Sequence, residues 1–207
     1  MLLTKLEPLG EDRFSLTLED GSSLRCGPQE VLDFGLHGGM ELEGETLEKL
    51  REACAYWAVR RKAAALISAR AMSAGELRRK LREKGADPLH AERAANWLLD
   101  LGAIDEAAYA AMVARHYAAK GYGRKRIEQE LYRRELPRET WEAALEELPD
   151  GRDTLDALVR RRLQSAPIDR QGLKKLADSL LRRGYGWEEV RAAIARSTAQ
   201  EDNDFDD

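Results

Sequence analysis

The chain has few of the residues on which small-molecule chemistry is usually built. Its two cysteines, Cys26 and Cys54, stand far apart in sequence, with no His or Cys at metal-ligand spacing. Reduced thiols are therefore expected, not a disulfide or a zinc site. No glycine-rich phosphate loop, His-Glu-x-x-His pair or nucleophile elbow occurs. The three histidines, His37, His90 and His116, are isolated and read as surface or packing residues. The many carboxylates alternate with Arg and Lys, as on solvated helix faces. No enzyme class, catalytic residue, cofactor or metal is expected. No apolar run approaches the roughly 18 residues of a membrane helix, and the first residues lack the layout of a signal peptide. A cytoplasmic protein without membrane association is expected. Aromatic residues make up 6% of the chain and charged residues 35%. So much charge implies much surface per residue, which suits a thin helical stack.

The net charge of −4 is unevenly spread. Residues 1–50 carry −7 and residues 201–207 carry −5, which leaves 51–200 at +8. A basic body between acidic ends points toward a polyanionic partner.

Only the N-terminal segment reads as β. Phe14, Leu16 and Leu18 alternate with polar residues, and Asp20-Gly21 supplies turn chemistry. A three-residue loop over 20–22 sets Leu18 opposite Leu24 and Leu16 opposite Cys26, with the apolar residues on one face. A short helix should start at Pro28 and stop near Gly35 or Gly38-Gly39. So small a piece must lean on the helical body. From Thr46 onward, Leu47, Leu50, Cys54 and Trp57 form one helical stripe. Glycines and prolines then cut the chain into helices of about 10 to 16 residues.

An internal repeat organises that body. Leu77-Arg-Arg-Lys-Leu81-Arg-Glu-Lys-Gly85 aligns with Ile127-Glu-Gln-Glu-Leu131-Tyr-Arg-Arg-Glu135 and Leu176-Ala-Asp-Ser-Leu180-Leu-Arg-Arg-Gly184, at offsets of 50 and 49. The same offsets carry Ala91 to Trp141 to Val190, and Ala95 to Leu145 to Ile194. Each copy should hold three helices, the first at about 59–71, 105–119 and 152–164. The third copy needs a longer link at Ser165-Ala166-Pro167. The expected fold is mainly α: three tandem three-helix repeats in an elongated curved array, after a small β-hairpin and short helix. Its parts are 1–45 (hairpin and short helix), 46–103 (long helix and repeat 1), 104–150 (repeat 2), 151–198 (repeat 3) and 199–207, an acidic disordered tail. That tail is either a solubilising end or a competitor of DNA for the basic surface.

The second helix of each copy is basic: Arg78, Arg79, Lys80, Arg82 and Lys84; Arg124, Lys125, Arg126, Arg133 and Arg134; Lys174, Lys175, Arg182 and Arg183. Lys84, Arg134 and Arg183 share one repeat position, so stacked units would display them as a row suited to a phosphate backbone. A cation at a helix C-terminus also offsets the helix dipole by about 0.3–1 kcal/mol without any partner, and both readings stay open. Arg60-Arg61-Lys62 and Arg160-Arg161-Arg162 add charge on the first helices. Gly121-Tyr122-Gly123 and Gly184-Tyr185-Gly186 look alike but occupy different repeat positions, and read as turns with an apolar anchor. Trp57, Trp97 and Trp141 are expected in the core, with Trp187 the tryptophan most exposed.

Lys120-Gly-Tyr-Gly-Arg-Lys-Arg-Ile-Glu-Gln-Glu-Leu131 closely resembles the signature of the bacterial RecX family. Ala69 to Gly85 resembles the first-repeat motif of that family, and Leu101-Gly-Ala-Ile-Asp-Glu-Ala-Ala-Tyr-Ala110 the connection into the second. The likeness spans about residues 55 to 196. It implies a modulator of the RecA recombinase that lies along the groove of the RecA filament on single-stranded DNA. Such proteins block filament extension or promote disassembly, restraining ATP hydrolysis, strand exchange and the coprotease activity that triggers the SOS response. The resemblance also implies weak binding to DNA itself, single-stranded and double-stranded. The contact residues expected are Arg78, Arg79, Lys84, Arg124, Lys125, Arg126, Arg133, Arg134, Lys174, Lys175, Arg182 and Arg183. They would act as a multivalent clamp on a monomeric chain. A general DNA-binding repeat protein, or a pure interaction scaffold, are the alternatives that sequence leaves open.

Overall fold

The structure is a computed structural model that describes residues 1–164 and 169–203. The chain forms two compact units, Met1–Ile104 and Asp105–Asp207.

The first unit opens with an antiparallel sheet of β1 (Leu2–Pro8), β2 (Phe14–Leu18), β3 (Ser23–Cys26) and β4 (Met40–Glu41), in the order β3-β2-β1-β4. The expected hairpin is β2–β3, but it is half of a larger sheet. A bulge between Leu3 and Lys5 explains why β1 is hard to read: Leu3 and Leu6, at an odd spacing, both join one apolar cluster. The hairpin register also differs from expectation. Leu16 faces Leu24 and Phe14 faces Cys26. The loop has three residues, as expected, but they are Glu19-Asp20-Gly21: Leu18 N–H donates to Ser22 O at 2.9 Å and Gly21 N–H to Leu18 O at 3.0 Å. Gly21, at φ +80, supplies the left-handed residue that closes such a loop, and this sets the register. Moving the pairing by two positions changes partners and preserves faces, so Leu16, Leu18 and Cys26 remain buried.

Helix α1 (Pro28–Asp33) starts at Pro28, and the buried Glu30 carboxylate accepts the Gly27 N–H at 2.9 Å. Helix α2 (Gly44–Ala69) begins two residues before Thr46 and runs unbroken through the expected first helix of repeat 1. Its first half gives Leu47, Leu50 and Cys54 to the sheet cluster; its second half gives Val59 and Ala63 to the repeat. One helix thus anchors the sheet to the repeat. Helix α3 (Ala74–Glu83) is capped by Ser73, whose hydroxyl accepts the Glu76 N–H at 3.0 Å. Helix α4 (Pro88–Asp100) is capped by Asp87 and has Pro88 at its first position.

The second unit contains α5 (Glu106–Ala119), α6 (Arg124–Arg133), a 3-10 turn (Arg138–Thr140) leading into α7 (Trp141–Glu146), then α8 (Arg152–Gln164), α9 (Arg170–Arg182) and α10 (Trp187–Asn203). The repeat register holds throughout. Leu77, Leu81, Ile127, Leu131, Leu176 and Leu180 are all buried, as are Ala91, Trp141, Val190, Ala95 and Leu145. Burying an aliphatic side chain of this kind stabilises by about 1.5–3 kcal/mol, which is why the spacing is shared by all three copies. After the second helix of each copy the backbone turns left-handed, at Gly85 (φ +81), Glu135 (φ +53) and Gly184 (φ +93). Trp57 and Trp141 are buried and Trp187 is 56% exposed, as the sequence suggests. The link at Ser165-Ala166-Pro167 lies outside the described residues. Helix α10 continues to Asn203, so the segment expected as a disordered tail from 199 begins as helix; residues 204–207 lie outside the described residues.

Candidate nucleic-acid and partner interface

The structure sorts the cations of α3, α6 and α9 by whether a neighbour already holds them. On α3, Arg78 reaches α4, with Nε 2.9 Å from Glu92 and Nη2 donating to Asn96 Oδ1 at 3.1 Å. Arg79 pairs with Glu83 at 2.8 Å. Lys84 is exposed and has no side-chain partner among the described residues. In the second unit Arg124 pairs with Glu128 at 3.0 Å, an exposed pair worth about 0.2–0.5 kcal/mol. Lys125, Lys174, Lys175 and Arg182 are exposed and free of side-chain partners among the described residues.

The remaining α6 cations converge on one carboxylate. Glu130 is 4% exposed at its side chain, and it receives Arg126 at 3.2 Å, Arg133 at 2.9 Å and Arg134 at 2.5 Å. Burial alone would raise its pKa. Hydrogen bonds from Arg134 and Tyr117 and the charges of Arg133 and Arg134 outweigh that and hold the carboxyl below its ordinary value. Three guanidinium groups around one carboxylate leave an excess of two positive charges, and Arg133 carries part of it outward at 69% exposure.

Arg183 is built into the fold. Its Nη1 donates to the carbonyls of Lys120 and Gly121, both at 3.3 Å, at the C-terminal end of α5. Its own carbonyl accepts the Gly123 N–H at 2.9 Å, and the Gly184 carbonyl accepts the Lys125 N–H at 3.2 Å. Two carbonyls just past the end of α9 thereby satisfy the N-cap amide and the second amide of α6. Lys84, Arg134 and Arg183 each occupy the C-cap of their helix, as expected from the repeat. They are not an equivalent row: among the described residues Lys84 has no side-chain partner, Arg134 holds Glu130, and Arg183 ties repeat 2 to repeat 3.

The arginine triplets divide in the same way. Arg61 pairs with Asp12 at 3.4 Å and lies over Trp57, and Arg60 lies 4.6 Å from the Trp97 ring centre. Arg160 and Arg161 are exposed. Sequence reasoning missed Glu130; His90 is a packing residue, as expected, buried against Tyr56 and bonded to Glu52 at 2.7 Å. Among the described residues no group of three or more His, Cys, Asp or Glu is placed to hold a metal ion, and no helix is long and apolar enough to cross a membrane.

Residues 60–98, the second half of α2 with α3 and α4, match the first three-helix domain of RecX. Residues 105–145, from α5 to α7, match the second. The regulatory protein RecX of Xanthomonas axonopodis pv. citri is 37% identical over 134 residues, covering 64% of this chain and 83% of its own length. The chain belongs to the RecX family. The regulatory protein RecX of Pseudomonas savastanoi pv. phaseolicola is 36% identical over 130 residues, 62% of this chain and 84% of that one. A crystal structure of regulatory protein RecX shares the fold with a TM-score of 0.76 at 20% identity, covering 94% of this chain and 98% of its own. RecX from Lactobacillus salivarius gives 0.63 at 21% identity, over 70% and 97%. The Gly-Tyr-Gly turn and Glu130 both lie in the second RecX domain.

Proposed function

We propose that this chain regulates the RecA recombinase, without catalysis of its own, by binding along the RecA filament on single-stranded DNA. It restrains filament growth and, with it, ATP hydrolysis and coprotease activity. Membership of the RecX family carries the reading. Lys84, Lys125, Lys174, Lys175 and Arg182 support it: a polyanionic assembly is met most economically by cations that no carboxylate among the described residues already neutralises. Repetition supports it too, because successive units add weak contacts through effective concentration.

The deciding experiment is DNA-dependent ATP hydrolysis by the cognate RecA on single-stranded DNA, with this chain titrated from far below equimolar. A fall in rate at sub-stoichiometric amounts is expected, since one bound molecule then silences many protomers. The same partnerless cations favour a second reading, a general DNA-binding protein. An unchanged rate together with tight, salt-sensitive binding to bare DNA would establish that reading instead.

A further inference from the structure

Within the second unit, α8 and α9 border an open cavity of about 380 Å³. Leu158 of α8 and Leu176 and Leu180 of α9 form its apolar side, the last two buried. Every charged residue on the lining is an arginine: Arg161 and Arg162 from α8, and Arg183 from α9. Among the described residues no carboxylate lines it; Asp178, next to Ser179 in sequence, is not on the lining. Arg161 is exposed and has no side-chain partner among the described residues. Arg162 has a partner of its own. Arg183 donates to the Lys120 and Gly121 carbonyls and lies 5.6 Å from the Tyr122 ring centre. These neutral partners hold the guanidinium in place and leave its charge uncompensated. Ser179 also lines the cavity, half-buried, and its hydroxyl has no hydrogen-bond partner among the described residues.

We infer that this cavity binds the phosphate of a nucleotide. A cleft lined by charge of one sign, with an apolar wall, focuses its field and concentrates a counter-ion. The Arg161 and Arg183 guanidinium groups and the Ser179 hydroxyl offer donors from two helices to one oxyanion. Phosphate accepts donors from several directions through its several oxygens, whereas a carboxylate presents two oxygens in one plane. The leucine side suits the carbon face of a sugar, which inorganic phosphate lacks. The nucleotide belongs either to a single strand or to the free pool, and the test separates the two. The inference rests on the nucleic-acid part of the proposed reading, extends it beyond the lysines named there, and holds whether or not RecA is the partner.

The test is fluorescence anisotropy of the full chain with a short fluorescein-labelled oligothymidylate, and calorimetry with free thymidine monophosphate. Saturable, salt-weakened binding of the strand is expected. Ser179→Glu, which sets a carboxylate on the cavity wall, should weaken it at least tenfold. Gln171→Glu places the same charge at an exposed position of α9 off the lining, and should change binding less than twofold. Ser179→Ala should weaken binding about fivefold, and Arg161→Gln should flatten the slope of log K against log salt by about 0.7. Thermal melts identify any variant that fails to fold; Ser179→Ala and Arg161→Gln decide the matter if Ser179→Glu does. Strand binding indifferent to these changes, with thymidine monophosphate binding that they abolish, would assign the site to the free nucleotide. If the strand binds indifferently and the monophosphate does not bind, the inference falls and DNA binding stands. If neither binds the wild-type chain, both fall, and the ATPase titration still decides RecA regulation. An aspartate-rich peptide that binds with this variant sensitivity, in place of either nucleotide, would also overturn the inference.

Discussion

Gly123 and Gly184 lie backbone against backbone. A β-carbon on Gly123 would stand 2.5 Å from both the carbon and the oxygen of the Gly184 carbonyl. A β-carbon on Gly184 would run into the backbone of Arg126. Repeats 2 and 3 are therefore joined at a point where neither has a side chain, and only this lets the Arg183 and Gly184 carbonyls reach the Gly123 and Lys125 amides.

Alanine at either glycine should loosen that joint. Gly123→Ala is expected to cost about 1–3 kcal/mol through overpacking. Gly184→Ala should cost more, since its φ of +93 adds a left-handed penalty of about 1–2 kcal/mol. Gly85→Ala is the control: it shares the left-handed backbone at φ +81, and nothing lies near its would-be β-carbon. Urea denaturation of the three variants checks this. Equal losses at Gly85 and Gly184 would mean that close approach contributes nothing.

Glu130 makes stability pH-dependent. Its pKa is lower in the folded chain than in the unfolded one. Its contribution is thus complete above the ordinary glutamate value of about 4.3 and disappears as pH falls through the lower folded value. Glu130→Gln should cost about 1–3 kcal/mol at pH 7, because three guanidinium groups lose their shared acceptor. Thermal melts from pH 7 down to pH 3 should show the gap between variant and wild type closing at the acid end. A gap that stays constant would mean the carboxylate is not the group that matters.

Charge reversal separates binding from folding. Lys125→Glu, Lys174→Glu and Lys175→Glu together should weaken binding to single-stranded DNA and to the filament while leaving the urea midpoint unchanged. The slope of log K against log salt should flatten by about 0.7 for each lost phosphate contact. Arg183→Glu should behave differently, lowering the midpoint as well, because the Lys120 and Gly121 carbonyls lose their donor. If Arg183→Glu changes binding with an undisturbed midpoint, its guanidinium is not structural.

What was legible in the sequence was what recurs. Leu77, Ile127 and Leu176 announce themselves because each fills the same place in a core, and burial demands an apolar residue there every time. Strand β1 was hidden because its bulge breaks the alternation that marks a strand. Glu130 was hidden for another reason: on a helix crowded with Arg and Glu, only the tertiary fold decides which carboxylate is buried and which three cations it gathers. The Gly-Tyr-Gly stretches were visible as turns. That they meet each other follows from the packing of one repeat on the next, which no local pattern encodes.

The two cysteines, remote in sequence, also meet. Cys26 on β3 and Cys54 on α2 are both buried in the sheet cluster, and each thiol is the neighbour that most shifts the other's pKa. The Cys26 thiol and burial push the Cys54 pKa up, while the neighbouring Cys54 thiol outweighs burial at Cys26 and lowers its pKa. A thiol reagent needs a thiolate it can reach, and burial denies access to both sulfurs whichever of them ionises first. The native chain at pH 8 is therefore expected to leave both thiols unmodified by Ellman's reagent, and the chain in concentrated urea to react at both. The native reaction should proceed only as fast as the sheet opens, so its rate should stop rising once reagent is in large excess. A native rate that climbs in proportion to reagent would instead mean that one sulfur is accessible in the folded state, and that the packing of α2 on β3 is looser than its buried cluster requires.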